Sequence, residues 1–135
     1  MSEERFPVTW SGRTAVVTAA GEIDLTNAEC LRDSLMTALN AGAAAVVVDL
    51  TAATFLDSAG VTTLVRASRR ARASEAALRV AVTAPAVLRV LDLVGIDQIV
   101  PVYPGVAEAL DSLTGQDAVM DSNTQAPSGP DATET

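Results

Sequence analysis

The chain contains no histidine and no lysine, a single cysteine at position 30, and aromatic residues amount to only 3% of its 135 positions. Each scarcity removes a class of chemistry. Without histidine a Ser-His-Asp triad cannot be built and the common zinc ligand sets are unavailable. Without lysine there is neither a phosphate-binding loop ending in Gly-Lys nor a Schiff-base nucleophile. One cysteine cannot form an internal disulfide, and within a helical pattern Cys30 is expected as a small buried side chain. Long apolar runs are missing too. "AAAVVVDL" and "LRVAV" stop far short of the ~20 residues that a membrane-spanning helix needs, and the "MSEERF" start carries acids where a signal peptide wants bases. The expectation is a cytoplasmic protein.

What remains is an aliphatic, acidic chain. Hydrophobic residues make up 49%, chiefly Ala, Val and Leu, a composition suited to helices laid on a sheet. The net charge of −8 opposes nucleic-acid binding, which demands a basic surface. Half of that excess, Asp117, Asp121, Asp131 and Glu134, lies after Leu113. From Gly115 onward the chain is Gly-, Pro-, Ser-, Thr- and Asp-rich, so residues 1–114 are expected to form one domain and 115–135 a disordered acidic tail.

"FPVTW", a Ser11-Gly12 turn and "RTAVVTAAG" predict an opening hairpin. In "GEIDLTNAECLRDSLMTALNAG", Thr26 and Glu29 fit a capping box, while Ala28, Leu31, Leu35 and Leu39 recur on one face until Gly42. "AAVVVDL" is a continuous apolar run of the kind covered on two faces. Helical spacing then runs from Ser58 to about Ala73, with Val61, Leu64, Val65 and Ser68 inward. "LRVAV" predicts a further strand. Pro85 opens a helix with an apolar stripe of Val87, Leu88, Leu91 and Val94, closed by Gly95. "IVPVY" follows as an edge strand and Val106, Leu110 and Leu113 mark a last helix. The fold class is α/β, with one mixed sheet, an N-terminal hairpin and about four helices.

"FLDSAG" places Asp57 and Ser58 at a helix start. Either oxygen can accept from the unpaired N–H groups there, so capping alone accounts for the pair. The same geometry would hold the Ser58 hydroxyl at a rigid, positively poled helix tip, reachable by an enzyme that adds a phosphoryl group. Small residues at Ala59 and Gly60 would let a partner's surface come close. Activating Ser58 as an enzyme's own nucleophile would need a base that the chain lacks. Asp24, Asp49 and Asp57 form a candidate magnesium-binding carboxylate cluster for phosphotransfer, with "VVVDL" similar to a receiver's phosphoacceptor strand but without that family's lysine. The "RASRRAR" stretch sets Arg66, Arg69, Arg70 and Arg72 on the second helix. Arg69 projects within about 20° of Ser58 and ~16 Å further along the axis, as part of a solvated face or a docking stripe for an acidic partner.

In order and spacing, the hairpin, "GEIDL", "VVVDLTAATFLDSAG" and "VLRVLDLVGIDQIVPVYPGVAEAL" resemble the STAS family, and more narrowly its bacterial anti-sigma factor antagonists. The likeness covers about Phe6 to Leu113. It implies that Ser58 is phosphorylated by a cognate anti-sigma factor that is itself a serine kinase, with Asp57, Gly60 and the loop acid Asp24 matching the motif. Many relatives carry Ser or Thr where this chain has Ala59. The partner face so expected comprises Asp24, Asp57, Ser58, Ala59, Gly60 and Thr62. On this expectation a serine phosphatase resets the switch, and ATP and magnesium belong to the kinase, so the chain needs no cofactor of its own. Other STAS proteins serve as subunits of transporters, stress complexes or lipid-trafficking assemblies, which is the alternative within the same family.

Overall fold

A computed structural model describes residues 6–119. The predicted hairpin is present as β1 (Val8–Ser11) paired antiparallel with β2 (Thr14–Thr18), and Gly12 takes the positive φ of +61° that the turn requires. The remaining elements are β3 (Gly21–Ile23), α1 (Ala28–Asn40), β4 (Ala45–Leu50), β5 (Ala53–Leu56), α2 (Ser58–Ala73), β6 (Ala77–Val82), α3 (Pro85–Val94), a 3-10 turn at Ile96–Gln98, β7 (Val102–Tyr103) and α4 (Val106–Val119). Five strands form a mixed sheet in the order β1-β2-β4-β6-β7, parallel from β2 onward.

One expectation of a single sheet is corrected here. β3 and β5 leave the main sheet and pair with each other in parallel. Their register runs Gly21↔Ala53, Glu22↔Phe55 and Ile23↔Leu56, with an irregularity between Gly21 and Glu22 where Gly21 takes a φ of +77°.

The Val-rich run of β4 holds the sheet centre. Val46, Val48 and Leu50 point to one face with Ala15 and Val17 of β2 and Val80 and Val82 of β6, where Leu31, Leu35, Leu64, Ala67, Val87 and Leu91 of three helices cover them. Val47 and Ala81 point the other way, equally buried, and α4 packs on β4, β6 and β7. Arg79 also lies on that side, where its Nε donates to Ser112 Oγ at 3.2 Å and one of its terminal nitrogens to the Leu78 carbonyl at 3.1 Å. Burial lowers the affinity of its guanidinium for the proton, and Tyr103 partly restores it.

Several local expectations are corrected. The α1 stripe of Ala28, Leu31, Leu35 and Leu39 is buried as expected, but Cys30 is exposed, because it faces away from that stripe. The N-cap position of α1 is Asn27 rather than Thr26, and no side chain caps the helix, so the Thr26–Glu29 box does not form. On α2 the fully buried line runs through Gly60, Thr63, Leu64, Ala67, Ser68 and Ala71, while Val61 and Val65 are only part-buried at its edge. On α3 only Val87 and Leu91 are buried. Leu88 and Val94 are 41% and 54% exposed, because α3 contacts little beyond β5 and the 3-10 turn and its packing line is narrow. α4 continues to Val119, past the expected boundary at residue 114, since a glycine inside a helix costs only about 1 kcal/mol and Gly115 does not stop it. The rest of the expected tail, 120–135, lies outside the described residues. No helix among the described residues is long and apolar enough to cross a membrane.

Candidate partner-binding site

The side pair of strands positions the site. Ile23 of β3 and Leu56 of β5 are register partners, and the Asp57 N–H donates to the Ile23 carbonyl at 3.1 Å. Asp24 and Asp57 are the next residues on two parallel strands roughly 4.8 Å apart, so the two acids emerge side by side at the same strand ends. One leads into the loop before α1 and the other into α2.

At the start of α2 the capping is settled in favour of the acid. Asp57 Oδ1 accepts from the N–H of Ala59 at 2.9 Å and of Gly60 at 3.2 Å. Its backbone is extended, with φ −98° and ψ −172°, as an N-cap residue requires. Ser58 is thereby released from capping. It is exposed, occupies the first helical position, and its hydroxyl makes no hydrogen bond among the described residues.

Asp24 is fixed as firmly. Its Oδ1 accepts from the Thr26 N–H at 3.0 Å and from Thr26 Oγ1 at 2.5 Å, and its carbonyl accepts from Asn27 and Ala28 N–H at 3.1 and 2.8 Å. This turn explains why Thr26 does not cap α1, since its hydroxyl is already engaged by Asp24. Asn27, which the sequence reading passed over, is the pin of the loop. Only 4% exposed, it accepts from the Asp24 N–H at 2.9 Å and donates to the Glu22 carbonyl at 2.9 Å. An Asn directly before a helical run was the available signal, though it reads as a cap rather than as a clamp on the preceding strand.

The six expected partner-face residues divide. Asp24, Asp57, Ser58, Ala59 and Thr62 share the surface at the start of α2, with Ser58 and Thr62 the most open. Gly60 is buried and is corrected to a packing residue: a Cβ there would lie 2.4 Å from Leu56 Cδ1 and 3.2 Å from Ile23 Cγ2. Its smallness lets α2 lie on the β3–β5 pair, not a partner on α2. Thr63 was also missed. Its buried hydroxyl donates to the Ala28 carbonyl at 3.3 Å and ties α2 to the first turn of α1. Beside this tie runs a shallow groove bordered by Leu25, Ala28, Ala59, Thr62, Arg32 and Arg66. Leu25, at 81% exposure, is the most exposed large apolar side chain described.

The candidate carboxylate cluster does not assemble. Asp49 Oδ1 accepts from Thr51 N–H at 3.0 Å and Thr51 Oγ1 at 2.6 Å, a local turn of the same kind as at Asp24. Among the described residues no three His, Cys, Asp or Glu side chains stand where they could hold a metal ion.

Removing the cap has a calculable effect. Asp57→Ala leaves the Ala59 and Gly60 N–H groups without their acceptor and should lower unfolding free energy by about 1 kcal/mol. Asp57→Asn, which keeps an acceptor oxygen, should lose appreciably less. Urea denaturation of the three proteins measures this, and equal stability of Asp57→Ala and wild type would show that the two bonds contribute nothing.

Fold and site together define a mixed α/β domain that offers an Asp-capped helix start with an exposed serine hydroxyl beside an acid-bearing loop. The STAS domain model matches residues 6–109, and the chain belongs to that family. Among solved structures it is similar to an anti-sigma factor antagonist from Mycobacterium paratuberculosis, at 28% identity and TM-score 0.75, over 81% of this chain and 92% of that one. The anti-sigma factor antagonist SpoIIAA in its unphosphorylated form matches at 25% identity and TM-score 0.71, over 82% and 96% of the two chains. The Bacillus cell fate determinant SpoIIAA in its phosphorylated form shares the fold at 24% identity and TM-score 0.64, over 80% and 98%. Comparison with curated protein sequences gives no significant match.

Proposed function

We propose that this protein is an anti-sigma factor antagonist switched by phosphorylation of Ser58. Unmodified, it offers the α2 start and the Asp24 loop to an anti-sigma factor that is a serine kinase, and occupying that kinase frees a sigma factor. The observation that carries the reading is the division of labour at residues 57 and 58: Asp57 caps the helix, and the exposed Ser58 hydroxyl is spared for other chemistry. Likeness to anti-sigma factor antagonists over more than four-fifths of the chain supports it.

In the modification, Ser58 Oγ attacks the γ-phosphorus of ATP, ADP departs, and the hydroxyl proton passes to a base of the kinase. This chain has no histidine or lysine to serve as that base. A serine phosphatase hydrolyses the ester and restores the binding form.

The test is incubation of the full chain with purified anti-sigma kinases of the source organism and magnesium ATP. Trypsin then releases the peptide Asp33–Arg66, because no lysine or arginine lies between. Fragmentation should place a phosphate on Ser58 and leave Ser58→Ala unmodified. Full phosphorylation of Ser58→Ala would overturn the reading.

A further inference from the structure

In an acidic protein of net charge −8, the positive charge is gathered on one element: α2 carries four of the nine arginines and no acid. Arg70 is committed internally, donating to Asn40 Oδ1 of α1 at 2.5 Å and to Ser74 Oγ. Arg66, Arg69 and Arg72 are exposed and make no ion pair among the described residues. Attraction to the negative pole of the helix explains Arg72 in the last turn, but that effect fades within one turn and does not reach Arg66 or Arg69.

At 100° per residue Thr62 lies about 40°, Arg66 about 80° and Arg69 about 20° from Ser58, so the three continue the Ser58 face for ~16 Å down the helix. Arg66 also borders the groove between α1 and α2, which the exposed Leu25 lines together with Ala28, Glu29, Ala59 and Thr62. Across it Arg32 is already engaged, 3.8 Å from Glu29 and 3.9 Å from Asp33. The surface thus reads, from the tip of α2 downward, as a bare hydroxyl, a groove lined by both apolar residues (Leu25, Ala28, Ala59) and polar ones (Glu29, Arg32, Thr62, Thr63), then two unpaired guanidinium groups.

We propose that the docking surface for the same anti-sigma kinase extends from the Ser58 tip along this face, receiving an apolar side chain against Leu25 in the groove and carboxylates on Arg66 and Arg69. The inference rests on the kinase reading of Ser58 and adds which surface holds the kinase while Ser58 reacts. Charge complementarity fixes the chemistry of the partner: a negatively charged segment, since guanidinium groups in an otherwise acidic molecule repel basic ones and pair with carboxylates in two-pronged geometry. The stripe lies beyond the reacting hydroxyl. Losing it therefore weakens the encounter and leaves the chemical step intact.

The experiment uses full-length wild type, Arg66→Glu/Arg69→Glu, Leu25→Ala, and Arg89→Glu on α3 as a control of equal charge type. Each is titrated with the purified kinase that phosphorylates Ser58, at low and high salt. The double variant should bind at least ~10-fold more weakly, mostly through slower association, and its affinity should lose most of the wild type's salt dependence. Leu25→Ala should weaken binding ~5-fold or more, whereas Arg89→Glu should match wild type. In phosphorylation kinetics the double variant should raise KM with kcat within about twofold. If no kinase binds wild type, the reading of Ser58 and this inference fall together. Should the kinase bind wild type and the double variant equally at all salt concentrations, the docking zone alone is refuted. The same holds if the double variant keeps kinase affinity but loses a wild-type attachment to phosphatidylglycerol vesicles, for the stripe then faces a lipid surface.

Discussion

Protein phosphorylated on Ser58 is expected to bind the proposed anti-sigma kinase about 100-fold more weakly than unmodified protein, with its melting temperature nearly unchanged. A phosphate brings about −1.5 to −2 charges to Ser58. Asp57 precedes Ser58 in the chain and Asp24 leaves the neighbouring strand β3, and both carboxylates are hydrogen-bonded. Asp57 is held by two backbone N–H groups and Asp24 by the Thr26 N–H and hydroxyl. A pair of unit charges ~6 Å apart costs only about 0.7 kcal/mol in water, but about 3 kcal/mol at the effective dielectric of a closing interface. Only the difference between the two, about 2 kcal/mol or roughly 30-fold per pair, opposes binding, and the phosphate's second charge and the second carboxylate carry the loss to about 100-fold. The free phosphoprotein escapes most of this cost, because water screens the charges and the helix start contributes up to about 1 kcal/mol of compensation.

Ser58→Glu, with a single charge, should lose about tenfold. Asp24→Asn in the phosphoprotein should recover several-fold, since an amide oxygen can still accept from Thr26 while the charge is gone. Titration calorimetry of unmodified, phosphorylated and substituted protein decides the matter. Equal affinity of the first two would remove the switch, and failure of Asp24→Asn to recover binding would remove Asp24 from it.

What the sequence made legible is what local periodicity determines. Strand β4 is apolar at nearly every position because the sheet is covered on two faces at its centre, and α1 alternates at helical spacing because only one face is buried. Both signals survive without tertiary information. α3 shows where periodicity overreaches: Leu88 and Val94 fit an apolar stripe, but the width of a stripe says nothing of how much neighbour there is to bury it. Cys30 is exposed for a related reason: a small apolar residue type favours burial, but its angular position on α1 turns it away from the buried Leu31 and Leu35.

The site was half legible. "DSAG" announced a capped helix start, yet which oxygen caps is a matter of backbone geometry at Asp57, and that geometry is set by its N–H reaching across to Ile23. The neighbourhood of Asp24 and Asp57 depends on β3 pairing with β5, two segments some thirty residues apart that carry no periodic signature of their own. Asn27 and Thr63 act through single bonds to distant carbonyls, and no spacing rule in one sequence points to such partners.

Gly60→Val should destabilise the fold by about 3 kcal/mol and lower the melting temperature by on the order of 10 °C. Replacing a helical glycine ordinarily stabilises, by up to about 1 kcal/mol for alanine and less for a β-branched residue. Here the added Cβ would stand 2.4 Å from Leu56 Cδ1, closer than atoms tolerate, and its neighbours give it no exit. Leu56 is 1% exposed and Ile23 fully buried, so relief requires α2 to lift from the β3–β5 pair. Lifting α2 carries the Ser58 tip away from the Asp24 loop, because these two strands are what place them side by side. Kinase binding at a temperature where the variant is still folded should therefore fall as well. Ala59→Val, one residue earlier and only part-buried, should leave stability within about 0.5 kcal/mol, which separates packing from surface. A Gly60→Val protein that melts like wild type would mean that α2 does not sit on these strands as closely as described, and the placement of Ser58 beside the Asp24 loop would fall with it.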